Sequence, residues 1–297
     1  MLMKSIIRLY RSTLKKVPGF HRLVYAVGEN LVIPLLEAWQ NFRTPSTDPL
    51  HFRLQLLLNQ WEPETVAFFK RVIRPGDRVL DIGAHVGYYT RLFARLVGPA
   101  GKVVAIEPHP ENFRLLEENT KKFSQVIRLN VAAGESEDEG TLYDAMDSSN
   151  ASLRLHESRR EMIVDHYSGE LYKRAFFGFP VRNYKIKIVQ LDKVLSSDRF
   201  RIAKIDIEGA ECIAIRGMSR IMSELQIIVF ELDRGNLETF GFRPRDLINL
   251  IWNAGFDHFY ILEAKDYKQI NLSELEQRGN SLLIGQSINI VASRYPL

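Results

Sequence analysis

Residues 78–107 read RVLDIGAHVGYYTRLFARLVGPAGKVVAIE. An apolar run, Val79 to Ile82, enters the small-residue loop Gly83-Ala84-His85-Val86-Gly87. A helix-period stretch follows, then a second apolar run, Val103 to Ile106, that stops on Glu107. Glycines at 83 and 87 let the backbone turn sharply and approach a ligand closely. An acidic residue closing the second strand can accept hydrogen bonds from both hydroxyls of a ribose. The glycine spacing is not the G-x-G-x-x-G of dinucleotide sites, and Asp81 stands just before the loop, where a carboxylate would repel a pyrophosphate. A carboxylate there suits the α-ammonium group of an amino acid. S-adenosylmethionine carries an adenine nucleoside on an amino-acid tail and so fits both acidic positions.

Around this unit the chain has 297 residues, 45% hydrophobic and 26% charged, an ordinary globular composition able to bury a full core. Its one cysteine, Cys212, excludes an internal disulfide framework and fits a reducing, cytoplasmic compartment; in an apolar helical stretch it reads as buried filler. The formal charge of +4 is unevenly placed. Residues 1–43 carry Lys4, Arg8, Arg11, Lys15, Lys16, Arg22 and Arg43 against Glu29 and Glu37, so the remainder is close to neutral. The sequence pI of about 9.0 therefore reports an N-terminal feature and says little about nucleic-acid affinity of the core, for which nucleic acid is an unlikely partner. No apolar run is long enough for a membrane span, and the early charges break any signal-peptide core.

Met3, Ile7, Tyr10, Leu14 and Val17 mark one face of a helix, with Lys4, Arg8, Arg11 and Lys15 opposite. Such a basic helix can lie peripherally on an anionic membrane, or pack its stripe on its own domain or a partner subunit; the second is the commoner use. Pro18-Gly19 stops it, a second helix from about His21 to Phe42 is expected to be interrupted by Pro34, and 44–49 reads as a linker. This gives an extension over 1–52 and a catalytic domain over 53–297. Strands are expected at 79–82, 103–106, 126–131, 202–207, 227–232, 258–262 and 288–292, and helices at 63–73, 88–97, 110–123, 210–222 and 244–254. Apolar strands alternating with amphipathic helices imply an α/β fold, a mainly parallel sheet covered on both faces, with ligands beyond the strands' carboxyl ends. An insertion over about 134–192 breaks the rhythm. It holds strands near 140–145 and 184–189 and, between them, the aromatic and basic segment 148–182 with His156, His166, Tyr167, Tyr172, Phe176, Phe177 and Phe179.

The second rich segment is Lys204-Ile205-Asp206-Ile207-Glu208-Gly209-Ala210-Glu211. On a strand, Lys204, Asp206 and Glu208 would share one face, which is costly unless they are paired or line a polar site. Glu211 suits a helix N-terminus whether or not it has another role.

VLDIGAHVGYYT, AIEPHPENFRLLEEN, the NASL at 150–153, VQLDKVL, KIDIEGAE and IIVFEL occur in this order. Over about residues 60–260 the chain thus resembles the FkbM family of methyltransferases. The resemblance implies a Rossmann-like class I methyltransferase sheet of seven strands, S-adenosylmethionine as donor, and O-methylation of a hydroxyl on a sugar, glycan or secondary metabolite. It implies donor binding by Asp81, Gly83, Ala84, His85, Gly87, Tyr88, Tyr89, Thr90, Glu107, Asn130 and Ala132; the last pair rests on the resemblance alone. His85 stands where relatives often carry Asn.

Methylating an alcohol requires removal of its proton, and Asp206 or Glu208 is the expected acceptor or orienter, with Lys204 neutralising the pair. A divalent metal held by Asp206, Glu208 and Glu231 is a permitted but not a preferred variant. His109 is expected to start a helix rather than touch adenosine, and His156 and His166 to be solvated. Rival readings are a dehydrogenase, which the loop's glycine spacing disfavours; a nucleic-acid or lipid methyltransferase; and a non-catalytic S-adenosylmethionine-binding protein. No Asn/Asp-Pro-Pro-aromatic tetrapeptide for flipped bases follows the fourth strand.

Overall fold

The structure, a computed structural model, describes residues 20–144, 151–153, 182–263, 266–283 and 285–297. The chain divides into two compact units, Met1–Trp61 and Glu62–Leu297.

The first unit contains α1 (Phe20–Val27), a π turn (Gly28–Val32), α2 (Ile33–Gln40) and α3 (Leu50–Leu57), the last running across residue 52. Pro34 does not interrupt the helix. The π turn is already in place where its missing N–H falls, with the Ile33 N–H donating to the Gly28 carbonyl five residues back. A widened turn absorbs a proline that an α-helix interior would not. Nor is 44–49 a free linker: Thr44 and Asp48 are buried, and the Thr44 N–H and hydroxyl both donate to Glu37 Oε1, at 2.9 and 2.6 Å.

The second unit opens with α4 (Pro63–Val72) and then alternates β1 (Arg78–Ile82), α5 (Tyr88–Val97), β2 (Lys102–Ile106), α6 (Pro110–Thr120) and β3 (Val126–Leu129). β4 (Ala132–Ala133), at the entry to the insertion, and β5 (Asp138–Asp144) and β6 (Arg182–Val189) within it form a separate sheet in the order β4-β6-β5. Then come α7 (Leu191–Val194), β7 (Ile202–Ile205), α8 (Glu211–Arg216), α9 (Ser219–Glu224), β8 (Ile227–Asp233), α10 (Arg234–Thr239) and α11 (Pro244–Asn253). The chain closes with β9 (His258–Glu263), β10 (Asp266–Ile270), α12 (Leu272–Ser281) and β11 (Ser287–Ser293).

The main sheet runs β10-β9-β11-β8-β7-β1-β2-β3. From β3 to β8 neighbours are parallel; β11, inserted between β8 and β9, is antiparallel to both. This is the expected class I methyltransferase sheet with one strand more: β10 pairs antiparallel with β9 at the edge. Its DYKQI sequence is polar and mostly exposed, so no apolar run announced it. The expected helix 210–222 is two helices broken near Gly217, where an added Cβ would lie 1.8 Å from the Gly134 carbonyl oxygen. The start of the insertion presses on that turn.

Side chains of opposite parity along the strands go to opposite faces. One face presents Leu80, Ile82, Ala203, Ile205, Ile228, Phe230, Leu232, Ile290 and Ala292, part of one continuous apolar cluster with Leu247, Ile248 and Ile251 of α11. The other carries a row of polar groups: Asp81 lies opposite Lys204, and Glu231 lies opposite Asn289.

Candidate active site

The loops after β1 and β7 touch. Gly83 has φ +83°, and a Cβ there would sit 1.8 Å from the Asp206 carbonyl oxygen, so any side chain would force the two loops apart. The loop after β1 is shaped from both sides. The N–H groups of Gly83 and Ala84 both donate to the Ile106 carbonyl at 3.0 Å. The His85 N–H donates to Glu107 Oε2 at 2.8 Å, and the His109 N–H to Glu107 Oε1 at 2.9 Å. Burial pushes the Glu107 pKa up to about 7 in spite of those two donors. Each carboxylate oxygen keeps a lone pair for a further donor such as a ribose hydroxyl.

Asp81 is fully buried. Its Oδ2 accepts from the Thr90 hydroxyl at 2.6 Å, while Oδ1 has no hydrogen-bond partner among the described residues. Burial raises its pKa, and Lys204 partly opposes that rise. A buried carboxylate oxygen left unpaired is costly and calls for a cationic or hydrogen-bonding group. The α-ammonium of S-adenosylmethionine is such a group, and with Glu107 at the second strand end the residues present fit that molecule.

Lys204 is the electrostatic centre of the polar face. It is 3% exposed, its Nζ is 2.8 Å from Asp206 Oδ2, and it lies 4.9 Å from the centroid of the Tyr89 ring. Burial alone would lower its pKa, but the carboxylates of Asp206, Asp81 and Glu62 outweigh burial and raise it, so it stays charged.

The strand expected to reach Ile207 ends at Ile205, so Glu208 does not share a strand face with Lys204 and Asp206. It occupies a left-handed turn at φ +57°. Glu211 builds that turn: its Oε1 accepts the N–H groups of Ile207 at 3.0 Å and Gly209 at 3.3 Å, and burial pushes its pKa up to about 7. The turn swings the Glu208 carboxylate beside the other acids. Asp206, Glu208 and Glu231 each offer an oxygen, all within 4.8 Å of one another. The pKa of Glu231 is raised well above the usual carboxylate range, by burial first and then by Asp206 and Glu208. From the insertion, the Ser152 hydroxyl donates to the Glu208 carbonyl at 3.3 Å, bringing part of the NASL segment to this turn.

Other expected site residues have mainly supporting contacts. The Tyr89 hydroxyl donates to Glu62 Oε2 at 2.6 Å, and Thr90 holds Asp81. Tyr88 is half-buried, and burial raises its pKa to about 12. The Asn130 amide donates to the carbonyls of Glu107 and Pro108 at 2.8 and 3.1 Å, and Ala132 is buried in β4. His85 has φ +50°, and burial followed by the nearby His109 pushes its pKa down to about 3, which keeps it neutral. His109 starts α6, its Nδ1 accepting from the Asn112 N–H at 3.3 Å. Cys212 is buried, and burial raises its thiol to about 12, leaving it inert. His156, His166 and the aromatic residues 167–179 lie outside the described residues.

Three contributors escaped the sequence reading. Glu62, just before α4, accepts from the Tyr89 hydroxyl and interacts electrostatically with Lys204, and the Asn289 amide beside it donates to the Thr65 hydroxyl at 3.2 Å. Asn289 interrupts the apolar run Ile288–Ala292 inside the strand SINIVAS, and that break in pattern was the available signal. The Asn236 amide donates to Glu208 Oε2 at 2.8 Å.

The described helices include none long and apolar enough to cross a membrane. The chain is 47% identical over 63 residues to a protein-L-isoaspartate O-methyltransferase of Aeropyrum pernix, which covers 20% of this chain and 24% of that protein. It is 33% identical over 82 residues to the Triticum aestivum enzyme of the same name, covering 27% and 36%. Both similarities span well under half of the relatives' length. A solved S-adenosylmethionine-dependent O-methyltransferase from Thermotoga maritima superposes with a TM-score of 0.40 at 13% identity, over 79% of this chain and 66% of that one. The Methyltransferase FkbM domain matches residues 81–258, more than half of the sequence. With that match spanning β1 through the start of β9, this chain belongs to the FkbM methyltransferase family.

Proposed function

We propose that the enzyme O-methylates a hydroxyl of a sugar, glycan or secondary metabolite, with the proton of that hydroxyl passing to the carboxylates at the end of β7. The observation that carries this reading is the convergence of Asp206 and Glu208, on the loop that the donor loop touches at Gly83, with Glu231 of β8, all within 4.8 Å. When bound, the donor supplies an electrophilic methyl group on a sulfonium. An alcohol is a poor nucleophile at neutral pH and gains most from a carboxylate that takes its proton as the new bond forms. Asp206, a third exposed and paired to Lys204, accepts the proton or orients the hydroxyl. Lys204 holds the Asp206 carboxylate in one rotamer. Asn236 does the same for Glu208. Crowded acids of this kind share protons readily, because a like charge nearby favours the protonated form of one of them. Asp206→Asn and Glu208→Gln test the assignment: turnover is expected to fall about 10²- to 10⁴-fold with donor affinity unchanged. Near-native turnover in both variants would remove it.

A second reading has a specific observation in its favour. Three carboxylate oxygens so close together suit a hard divalent cation, which would offset both the burial that chiefly raises Glu231 and the repulsion from Asp206 and Glu208 that adds to it. Activity retained after exhaustive chelation would dismiss that reading.

A further inference from the structure

The helix formed by α1, the π turn and α2 is inside out. Leu23, Val27, Leu31, Leu35 and Trp39, spaced every fourth residue, are 60%, 43%, 56%, 62% and 75% exposed. The acids of the same helix point into their own unit. Glu37 is buried against Thr44, Arg43 and Arg53, and Glu29 pairs with Arg53. A soluble helix ordinarily buries its leucines and exposes its charges.

The π turn serves this arrangement. In a regular helix, residues four apart drift by about 40°, so five such positions would spiral through about 160° and leave any single face. A π turn inserts one extra residue and sets the phase back by about 100°, which keeps the five side chains in one stripe. Gly28 opens the turn on the opposite side, against Leu50.

Charge identifies what the stripe meets. Residues 1–43 hold seven Lys/Arg, and their only acids are the two consumed internally. Residues 1–19 alone carry Lys4, Arg8, Arg11, Lys15 and Lys16 with no Asp or Glu. An apolar stripe ending in an exposed Trp, in a segment whose sequence carries a net positive charge, matches the boundary between acyl chains and anionic headgroups. We propose that this stripe lies on an anionic membrane surface, with the leucines and Trp39 at the headgroup boundary and the net positive sequence charge of residues 1–43 favouring anionic lipid.

The test is sedimentation of the full chain with vesicles of phosphatidylcholine alone and of phosphatidylcholine with 30% phosphatidylglycerol, a composition chosen for about physiological surface charge. Binding is expected to the anionic vesicles, to weaken with salt, and to fall roughly tenfold or more in Leu31→Glu/Leu35→Glu. Unchanged affinity of that variant for S-adenosylhomocysteine reports an intact catalytic unit. If the variant misfolds, brominated lipids replace it: they are expected to quench the wild type and to quench Trp39→Phe markedly less. The wild type remaining in the supernatant, equal binding by variant and wild type, or equal quenching with and without Trp39 would overturn the proposal. So would a stable dimer in sedimentation velocity that Leu31→Glu/Leu35→Glu dissolves, since the stripe would then belong to a second copy.

Discussion

The two faces of the central sheet are built from the same strands and answer to different demands. On one, Leu80, Ile205, Phe230 and Ala292 join a continuous apolar cluster and are all but inaccessible to water. On the other, one residue out of register, Asp81, Lys204, Glu231 and Asn289 form a polar row covering four neighbouring strands. Buried charge is a poor way to stabilise a sheet, because desolvation offsets much of the Coulomb attraction. The proposed reaction would give this costly face its use, and the apolar face carries the stability that permits it.

The comparison can be broken most severely at Lys204. Replacing it with Met leaves Asp81, Asp206 and Glu62 facing one another without their shared cation. A loss of about 3–5 kcal/mol in denaturant unfolding is expected, together with lost turnover, because breaking a buried pair strands its partner charges. Phe230→Ala, on the opposite face, is expected to cost a comparable or slightly smaller amount, about 3–5 kcal/mol, by opening a cavity. It should leave donor affinity in the folded fraction unchanged, and a parallel loss of affinity would show that the faces are not independent. Glu211→Ala should cost about 1–3 kcal/mol through the Ile207 and Gly209 N–H groups it leaves unpaired. Because it loosens the turn that carries Glu208, turnover should fall more than donor affinity.

The smallest expected effect sharpens the comparison through pH. The Glu107 carboxyl, held at about 7 by burial, is raised above its unfolded value, so its burial favours the protonated form. Between its unfolded value and pH 7 the native state binds more proton than the unfolded chain, so this group's contribution to stability declines as pH rises through that window. Ribose hydroxyls favour the ionised form, so donor affinity should move in the opposite sense. It should weaken about threefold between pH 7.5 and 6.5, and Glu107→Gln should abolish that dependence, as titration calorimetry at the two pH values would show.

Most of the frame was legible because apolar strands and amphipathic helices announce themselves by period. β1, β2, β8 and β11 came within a residue or so of their expected ends. Local pattern failed where tertiary contact decides. β10 is polar because it is an exposed edge, and the break at Gly217 comes from the Gly134 backbone, some eighty residues earlier. At the site, Asp81, Glu107, Lys204 and Asp206 could be read from strand ends. Glu208 could be named but not oriented, since its left-handed turn depends on Glu211 accepting two backbone donors. Glu62 lay beyond reach: it stands outside the strand ends and joins the site only because Tyr89 and Asn289 reach it in space. Pro34 misled the reading by rule, because a proline predicts a break unless a π turn precedes it.

The proposed grip on the donor by two carboxylates at neighbouring strand ends is read out by titration calorimetry with S-adenosylhomocysteine. Saturable binding to the wild type is expected, with affinity weakened on the order of tenfold, about 1.4 kcal/mol, in both Asp81→Asn and Glu107→Gln. No heat of binding from a wild-type chain whose circular dichroism shows an intact fold, or undiminished affinity in both variants, would contradict it.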